Sequence, residues 1–80
     1  MSAPAWSRPH YGVQHLAGLR EGWQVTCTDY GTFAQCWIRP HGAGFRGTTE
    51  IFDTIEAARQ YGERRAHALG AFAQALAVQS

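Results

Sequence analysis

The chain has 80 residues, a length that predicts a single domain with a small core. Hydrophobic residues make up 45% of it, which is typical of a globular protein rather than a disordered one. The formal net charge is +1, and every basic residue is an arginine. This balance argues against a protein that holds DNA mainly by neutralising phosphates, but it leaves room for a local basic patch.

The sequence gives no sign of a membrane span or a signal peptide. No apolar run approaches the length of about 20 residues that a span needs, and residues 1–9 contain no apolar block. We therefore expect a cytoplasmic protein, and the arginine-rich, lysine-free composition indicates a bacterial host cell. In a cytosol, Cys27 and Cys36 are expected to stay reduced.

Residues 1–10 contain two prolines and are predicted to form a loose N-terminal arm, in which Trp6 is the residue able to pack on the domain. Residues 11–19 are ambiguous. Apolar residues recur there every three positions, as in a short helix, but two glycines weaken that interpretation. We favour an edge strand that turns at residues 20–22 into the next strand.

Three further segments are predicted to be strands. Residues 23–27 alternate apolar and polar side chains, residues 33–38 are apolar on both faces as in a central strand, and residues 48–52 form the last strand. Together with residues 11–19 they give a sheet over residues 11–52. The predicted fold is α+β, a three- or four-stranded antiparallel meander with one C-terminal amphipathic helix packed on one face.

The two cysteines flank a turn predicted at residues 29–32. If the loop has four residues, Cys27 lies directly opposite Cys36, whereas a two-residue loop offsets them. In either register both are expected to be small buried apolar side chains. A nucleophilic pair of Cys36 with His41 is not favoured, because nothing nearby lowers the pKa of the thiol.

A helix is predicted over residues 53–78. Asp53 and Glu56 have the spacing of a capping box at its start. On a helical wheel, a face rich in alanine, leucine and aromatic residues lies opposite a polar face, so the helix is expected to pack on the sheet. Gly62 is predicted to allow a close approach to the sheet, and Gly70 is a candidate break.

Arg65 departs from this pattern, because it lies about 20° from the centre of the apolar face. One explanation is that its stem packs while its guanidinium group reaches solvent or a carboxylate. The other is that the sheet leaves this position uncovered, so that Arg65 faces a partner.

No motif of an enzyme or a metal site is present. His10 and His15 have a permissible spacing for two zinc ligands, but the histidines and cysteines do not form the close pairs of a structural zinc site. No nucleophile elbow, metalloprotease helix, phosphate loop or dinucleotide fingerprint occurs. We therefore expect no catalytic residue, no metal and no cofactor.

Aromatic and basic side chains alternate from residue 37 into the glycine-rich segment that follows. This arrangement is typical of a surface that stacks on bases and contacts phosphates. With two arginines of the helix it gives the predicted partner-binding residues, which are Arg39, His41, Phe45, Arg46, Arg64 and Arg65.

Residues 71–78 are almost wholly apolar, more than a small sheet can cover. A surplus apolar face of this kind indicates an interface, either with a second copy through Phe72 and Leu76 or with a foreign partner. The alternative is that the tail wraps the sheet.

The segment Ile51-Phe-Asp-Thr-Ile-Glu-Ala-Ala58 is similar to the strand-to-helix junction of the arm-type DNA-binding domains of phage integrases. That resemblance implies three strands followed by a helix, with a sheet that enters a DNA groove. The chain departs from the family in having no lysine and no excess of positive charge.

The size, architecture, composition and lack of catalytic motifs also resemble those of the small phage-encoded inhibitors called anti-CRISPR proteins. This resemblance implies a non-catalytic protein that binds a CRISPR effector complex stoichiometrically and blocks its DNA binding. We therefore predict an inhibitor that binds a larger protein or nucleoprotein complex. The alternative is a phage-type DNA-binding module that uses its sheet face.

Overall fold

The computed structural model describes residues 5–42 and 46–73, which form a four-stranded antiparallel sheet and one helix. In chain order the elements are β1 (Val13–His15), β2 (Gln24–Asp29), β3 (Ala34–Arg39), β4 (Thr48–Phe52) and α1 (Ile55–Ala68). The strands lie side by side in the same order, and α1 packs on β2, β3 and β4. The predicted α+β meander with a helix on one face is therefore confirmed.

The β2–β3 hairpin has the longer of the two predicted loops. Asp29 pairs with Ala34, so four residues form the loop, and Cys27 lies directly opposite Cys36. The Asp29 carboxylate accepts a hydrogen bond of 2.9 Å from the amide of Gly31, whose φ is +92°. This bond supplies a local reason for a four-residue loop, because an aspartate that binds an amide two residues on stabilises a turn.

The core lies between the sheet and α1, and small side chains determine how close they come. The buried residues of α1 are Ala58, Gly62 and Ala66, spaced four apart along one face. A Cβ atom added to Gly62 would lie 3.0 Å from both Cys36 Sγ and Val25 Cγ1. Glycine at this position thus allows the close approach that the sequence predicts.

Helix α1 begins with a different cap from the predicted one. The side chain of Thr54 accepts a hydrogen bond of 3.1 Å from the Ala57 amide, and its backbone is extended, as an N-cap requires. The predicted capping box of Asp53 and Glu56 is wrong, because the cap is one residue later and an alanine follows it at the third position. Glu56 still lies in the first turn, where its charge favours the helix dipole.

Helix α1 ends at Ala68, so the prediction of one helix over residues 53–78 is wrong. Gly70 has a φ of +70°, and the amides of Gly70 and Ala71 donate to carbonyls of the last turn at 3.1 and 2.9 Å. These two bonds form a Schellman motif, which ends a helix at a left-handed glycine. The helix therefore stops beside the break that the sequence suggests.

The residues after α1 return to the sheet. Ala71 is buried and its carbonyl accepts a hydrogen bond of 2.8 Å from the Arg20 amide, while Phe72 forms an antiparallel bridge with Leu19. Phe72 is half-buried against the core, as expected for a tail that wraps the domain. Leu76, the other residue predicted for a homodimer, lies outside the described residues, and the dimer stays a prediction.

The N-terminal arm is paired from residue 5 onward and is not loose there. Trp6 bridges to Leu16, and the Ser7 amide donates to the His15 carbonyl at 2.9 Å. Two residues with φ of +52° and +79°, Tyr11 and Gly12, then reverse the chain into β1 as a two-residue hairpin turn. Pro9 does not prevent this pairing, because a segment at a sheet edge needs only some of its amides.

Candidate binding surface

Helix α1 covers one face of the sheet, and the side chains of the other face alternate with the buried ones along β1, β2 and β3. We call this second surface the open face. It consists of Val13, His15, Gln24, Thr26, Thr28, Gln35, Trp37, Arg39, Thr49 and Ile51. None of these side chains is a carboxylate, and most can both donate and accept hydrogen bonds.

Trp37 lies in the middle of the open face, whereas Ile38 points into the core and is 2% exposed. The cross-strand neighbours of Trp37 are Thr26 and Thr49. A Cβ atom on Gly47 would clash with the indole ring, so the ring lies against this glycine. The arrangement holds a large aromatic group at the surface with little conformational freedom.

The end of the sheet that contains the β2–β3 loop exposes an aromatic group that sequence reasoning missed. The rings of Tyr30 and Phe33 stack with centroids 4.8 Å apart and are 52% and 39% exposed. Tyr11, in the turn before β1, is 92% exposed. The only sequence signal is the pair of aromatic residues that flank the predicted turn, a position where side chains have no sheet to cover them.

The predicted partner-binding residues lie mostly at the other end. There the β1–β2 turn, the segment after β3 and the end of α1 come together. A Cβ atom on Gly22 would clash with the imidazole of His41, and the segment after α1 is bonded to the amide of Arg20. We call this region the basic end, because it holds five of the seven arginines: Arg20, Arg39, Arg46, Arg64 and Arg65.

Of the six predicted residues, Phe45 lies outside the described residues and the others are at the basic end. Arg39 is half-buried at the end of β3, and the other four are exposed. The expectation that Arg65 lies near the centre of the apolar face is wrong. The buried row is centred on Gly62, and three residues along a helix place Arg65 about 60° to one side of it.

Arg20 belongs to the basic end but is absent from the sequence-based set. Its backbone turns with Gly22, whose φ is +88°, into β2. The sequence does predict a turn at residues 20–22. What it does not show is that this turn lies beside the segment after β3, which only the strand order establishes.

The carboxylates are distributed differently from the arginines. Glu21 lies in the turn at the basic end, and Glu63 faces the arm, where its carboxylate accepts a hydrogen bond of 2.6 Å from Trp6 Nε1. The other four lie along β4 or toward the opposite end of the sheet: Asp29, Glu50, Asp53 and Glu56. A net charge of +1 therefore conceals a separation of charge along the molecule.

The two thiols lie beneath α1, away from both the open face and the basic end. Cys27 and Cys36 are free and fully buried. A hydrogen bond with Cys36, together with burial, raises the pKa of Cys27. The same hydrogen bond lowers the pKa of Cys36, while burial opposes that effect. Because a reactive cysteine needs both access and a stabilised thiolate, this pair belongs to the core.

We expect both thiols to react with a thiol reagent about 100-fold more slowly in the native protein than in the unfolded chain at about pH 8, because the reagent reaches them only when the domain opens. Release of the coloured product of Ellman's reagent, with and without guanidinium chloride, measures both rates. Equal rates would contradict the buried position of the pair.

Within residues 5–42 and 46–73, no three histidine, cysteine or acidic side chains come together as metal ligands. No helix of this described part is long and apolar enough to cross a membrane. The fold and the surfaces define a small α+β protein with one covered and one open sheet face. Comparisons with protein-family models, with curated proteins and with solved structures gave no match to this chain.

Proposed function

We propose that this chain is a non-catalytic binding protein that contacts the nucleic acid of a larger nucleoprotein complex through its basic end. The observation that carries the proposal is the placement of five arginines by three separate segments at one end of the sheet. Guanidinium groups bind phosphates in a bidentate manner, and clustering them supplies the local positive field that the net charge does not indicate.

The resemblance to anti-CRISPR proteins suggests the specific form of this function, which is stoichiometric inhibition of a CRISPR effector complex. A domain held on such a complex by its basic end would occupy the path of the incoming DNA. It would block binding by its volume and by taking contacts that the DNA needs, without any chemical step.

The open face favours a second candidate, a DNA-binding module that uses its sheet. This face carries Gln24, Gln35 and Arg39 and no carboxylate, so a phosphate backbone can approach it without repulsion. The two candidates differ in what is sufficient for binding. The module binds duplex DNA alone, whereas the inhibitor needs the assembled complex.

A variant with Arg46→Gln, Arg64→Gln and Arg65→Gln removes three exposed arginines from the basic end. We expect its affinity for a labelled DNA duplex, or for a captured complex, to fall by about 100-fold at low salt. The slope of log affinity against log salt concentration should become shallower by about 0.9 for each phosphate that the variant no longer neutralises. Fluorescence anisotropy over a salt series measures both quantities. Arg8→Gln, an exposed arginine of the arm, is the matched control and should change little.

Tagged protein incubated with a lysate of bacteria that express a CRISPR system separates the two candidates. Co-purification of the effector complex, loss of its DNA binding and no shift of naked duplex support the inhibitor. A salt-sensitive shift of duplex alone supports the module. Failure of both, or an unchanged affinity in the triple arginine variant, contradicts the proposal that the basic end binds nucleic acid.

A further inference from the structure

We propose that the part of the open face next to the basic end binds an unpaired nucleotide, with its base in a cleft where β1 ends and β2 begins. This inference rests on the proposed function, because it assumes nucleic acid at the basic end. It adds that the nucleic acid is single-stranded and that its base lies against residues outside the predicted binding set.

The cleft has a volume of about 300 Å³ and is open to solvent. This volume is at the lower limit of small-molecule sites, which suits one planar ring system rather than a larger ligand. Leu19 and Trp23 line it, and both also pack against the core, which keeps them in place. They form the inner, apolar side of the cleft.

Three polar side chains of the cleft come from the open face: His15, Gln24 and Thr26. An imidazole, an amide and a hydroxyl together offer donors and acceptors to the edge of a base. The ring of His15 is oriented by Thr26, because its Nδ1 lies 3.1 Å from the threonine Oγ1, which directs the second ring nitrogen away from that bond. The lining is therefore suited to a base whose hydrogen-bonding edge is not already paired.

The surroundings of the cleft fit the rest of a nucleic-acid strand. Gln24 pairs across β2 and β3 with Arg39, and Thr26 pairs with Trp37. A strand with one base in the cleft would thus have a guanidinium group beside its backbone and an indole beside its next base. Arg20 lies in the turn that borders the cleft on the other side. The open face adds no carboxylate that would repel the phosphates.

The experiment compares a short fluorescein-labelled thymidine strand with the same strand annealed to its complement, by anisotropy at two salt concentrations. We expect the single strand to bind about 10-fold more tightly than the duplex and to quench tryptophan fluorescence, because stacking and edge contacts are available only to unpaired bases. Gln24→Ala should lower the single-strand affinity by about 5-fold without changing its salt dependence.

Gln35→Ala is the matched control, since it makes the same change on the same face, away from the cleft. Circular dichroism checks that both variants fold. This inference would be overturned if the protein bound single strand and duplex equally well and Gln24→Ala had the same affinity as Gln35→Ala. The proposed function would still stand in that case if the triple arginine variant bound more weakly than the wild type. If neither probe binds, the inference is also overturned, and co-purification alone decides the proposed function.

Discussion

Replacing Trp6 with alanine is expected to lower the free energy of unfolding by about 3 kcal/mol, the low end of the cost of removing a core tryptophan, because this ring is half-buried. Trp6 joins three parts of the molecule. It bridges to Leu16, it donates to Glu63 of α1, and its ring lies 3.3 Å from the position of a Cβ on Gly62. Truncation to alanine removes this apolar packing and leaves the arm without its main anchor.

Thermal unfolding followed by circular dichroism measures the effect of Trp6→Ala, and a destabilisation of this size lowers the midpoint by about 12 to 24 °C in a domain of this length. Trp6→Phe keeps an aromatic ring but removes the donor to Glu63, and we expect it to lose about 1 kcal/mol. Arg8→Ala, on the exposed part of the arm, should stay within about 0.5 kcal/mol of the wild type. A Trp6→Ala protein that unfolds at the wild-type temperature would show that the arm does not contribute to stability.

Replacing Gly62 with valine is expected to cost about 2 kcal/mol, although glycine is a poor helix former. Even the first carbon of a side chain would lie 3.0 Å from Cys36 Sγ and from Val25 Cγ1. The two further methyl groups of valine would have to displace the helix from the sheet. The strain of overpacking therefore outweighs the gain in helix propensity.

Urea unfolding of three variants tests this argument. Gly62→Ala should be nearly neutral, since a gain of about 1 kcal/mol in helix propensity opposes the close contacts of its Cβ. Ala68→Val makes a similar addition at an exposed position of α1 and should cost less than about 1 kcal/mol. A Gly62→Val protein as stable as Ala68→Val would mean that the helix does not approach the sheet as closely as the contacts indicate.

The sequence predicts the meander and the last strand well, because alternating side chains and β-branched residues mark the strands directly. It predicts the rotation of α1 poorly, and the misplacement of Arg65 is the result. The buried row of α1 is Ala58, Gly62 and Ala66, and such small residues give a weak hydrophobic pattern. Tyr61, by contrast, lies about 100° from Gly62 on the same side as Arg65, so it draws the apolar centre of a helical wheel toward Arg65.

The paired arm and the end of α1 depend on contacts that local pattern cannot show. The arm pairs with β1 through the backbone, which any residue can do, and its prolines argue for a loop. The basic end likewise depends on contacts between segments that are distant in the chain. Arg20, Arg46 and Arg65 are far apart in the chain and come to lie at one end of the sheet only because the strand order brings their segments there. Composition alone conceals the clustering, since the charges nearly cancel overall.

The two edges of the sheet differ in whether another chain could pair with them. The outer side of β1 is occupied by residues 5–10, an irregular segment interrupted by Pro9 that is a poor template for a further strand. The outer side of β4 is exposed along almost its whole length in the described structure. Within residues 5–42 and 46–73, strand addition therefore has one free edge, so association through it would pair two molecules rather than extend into a fibre.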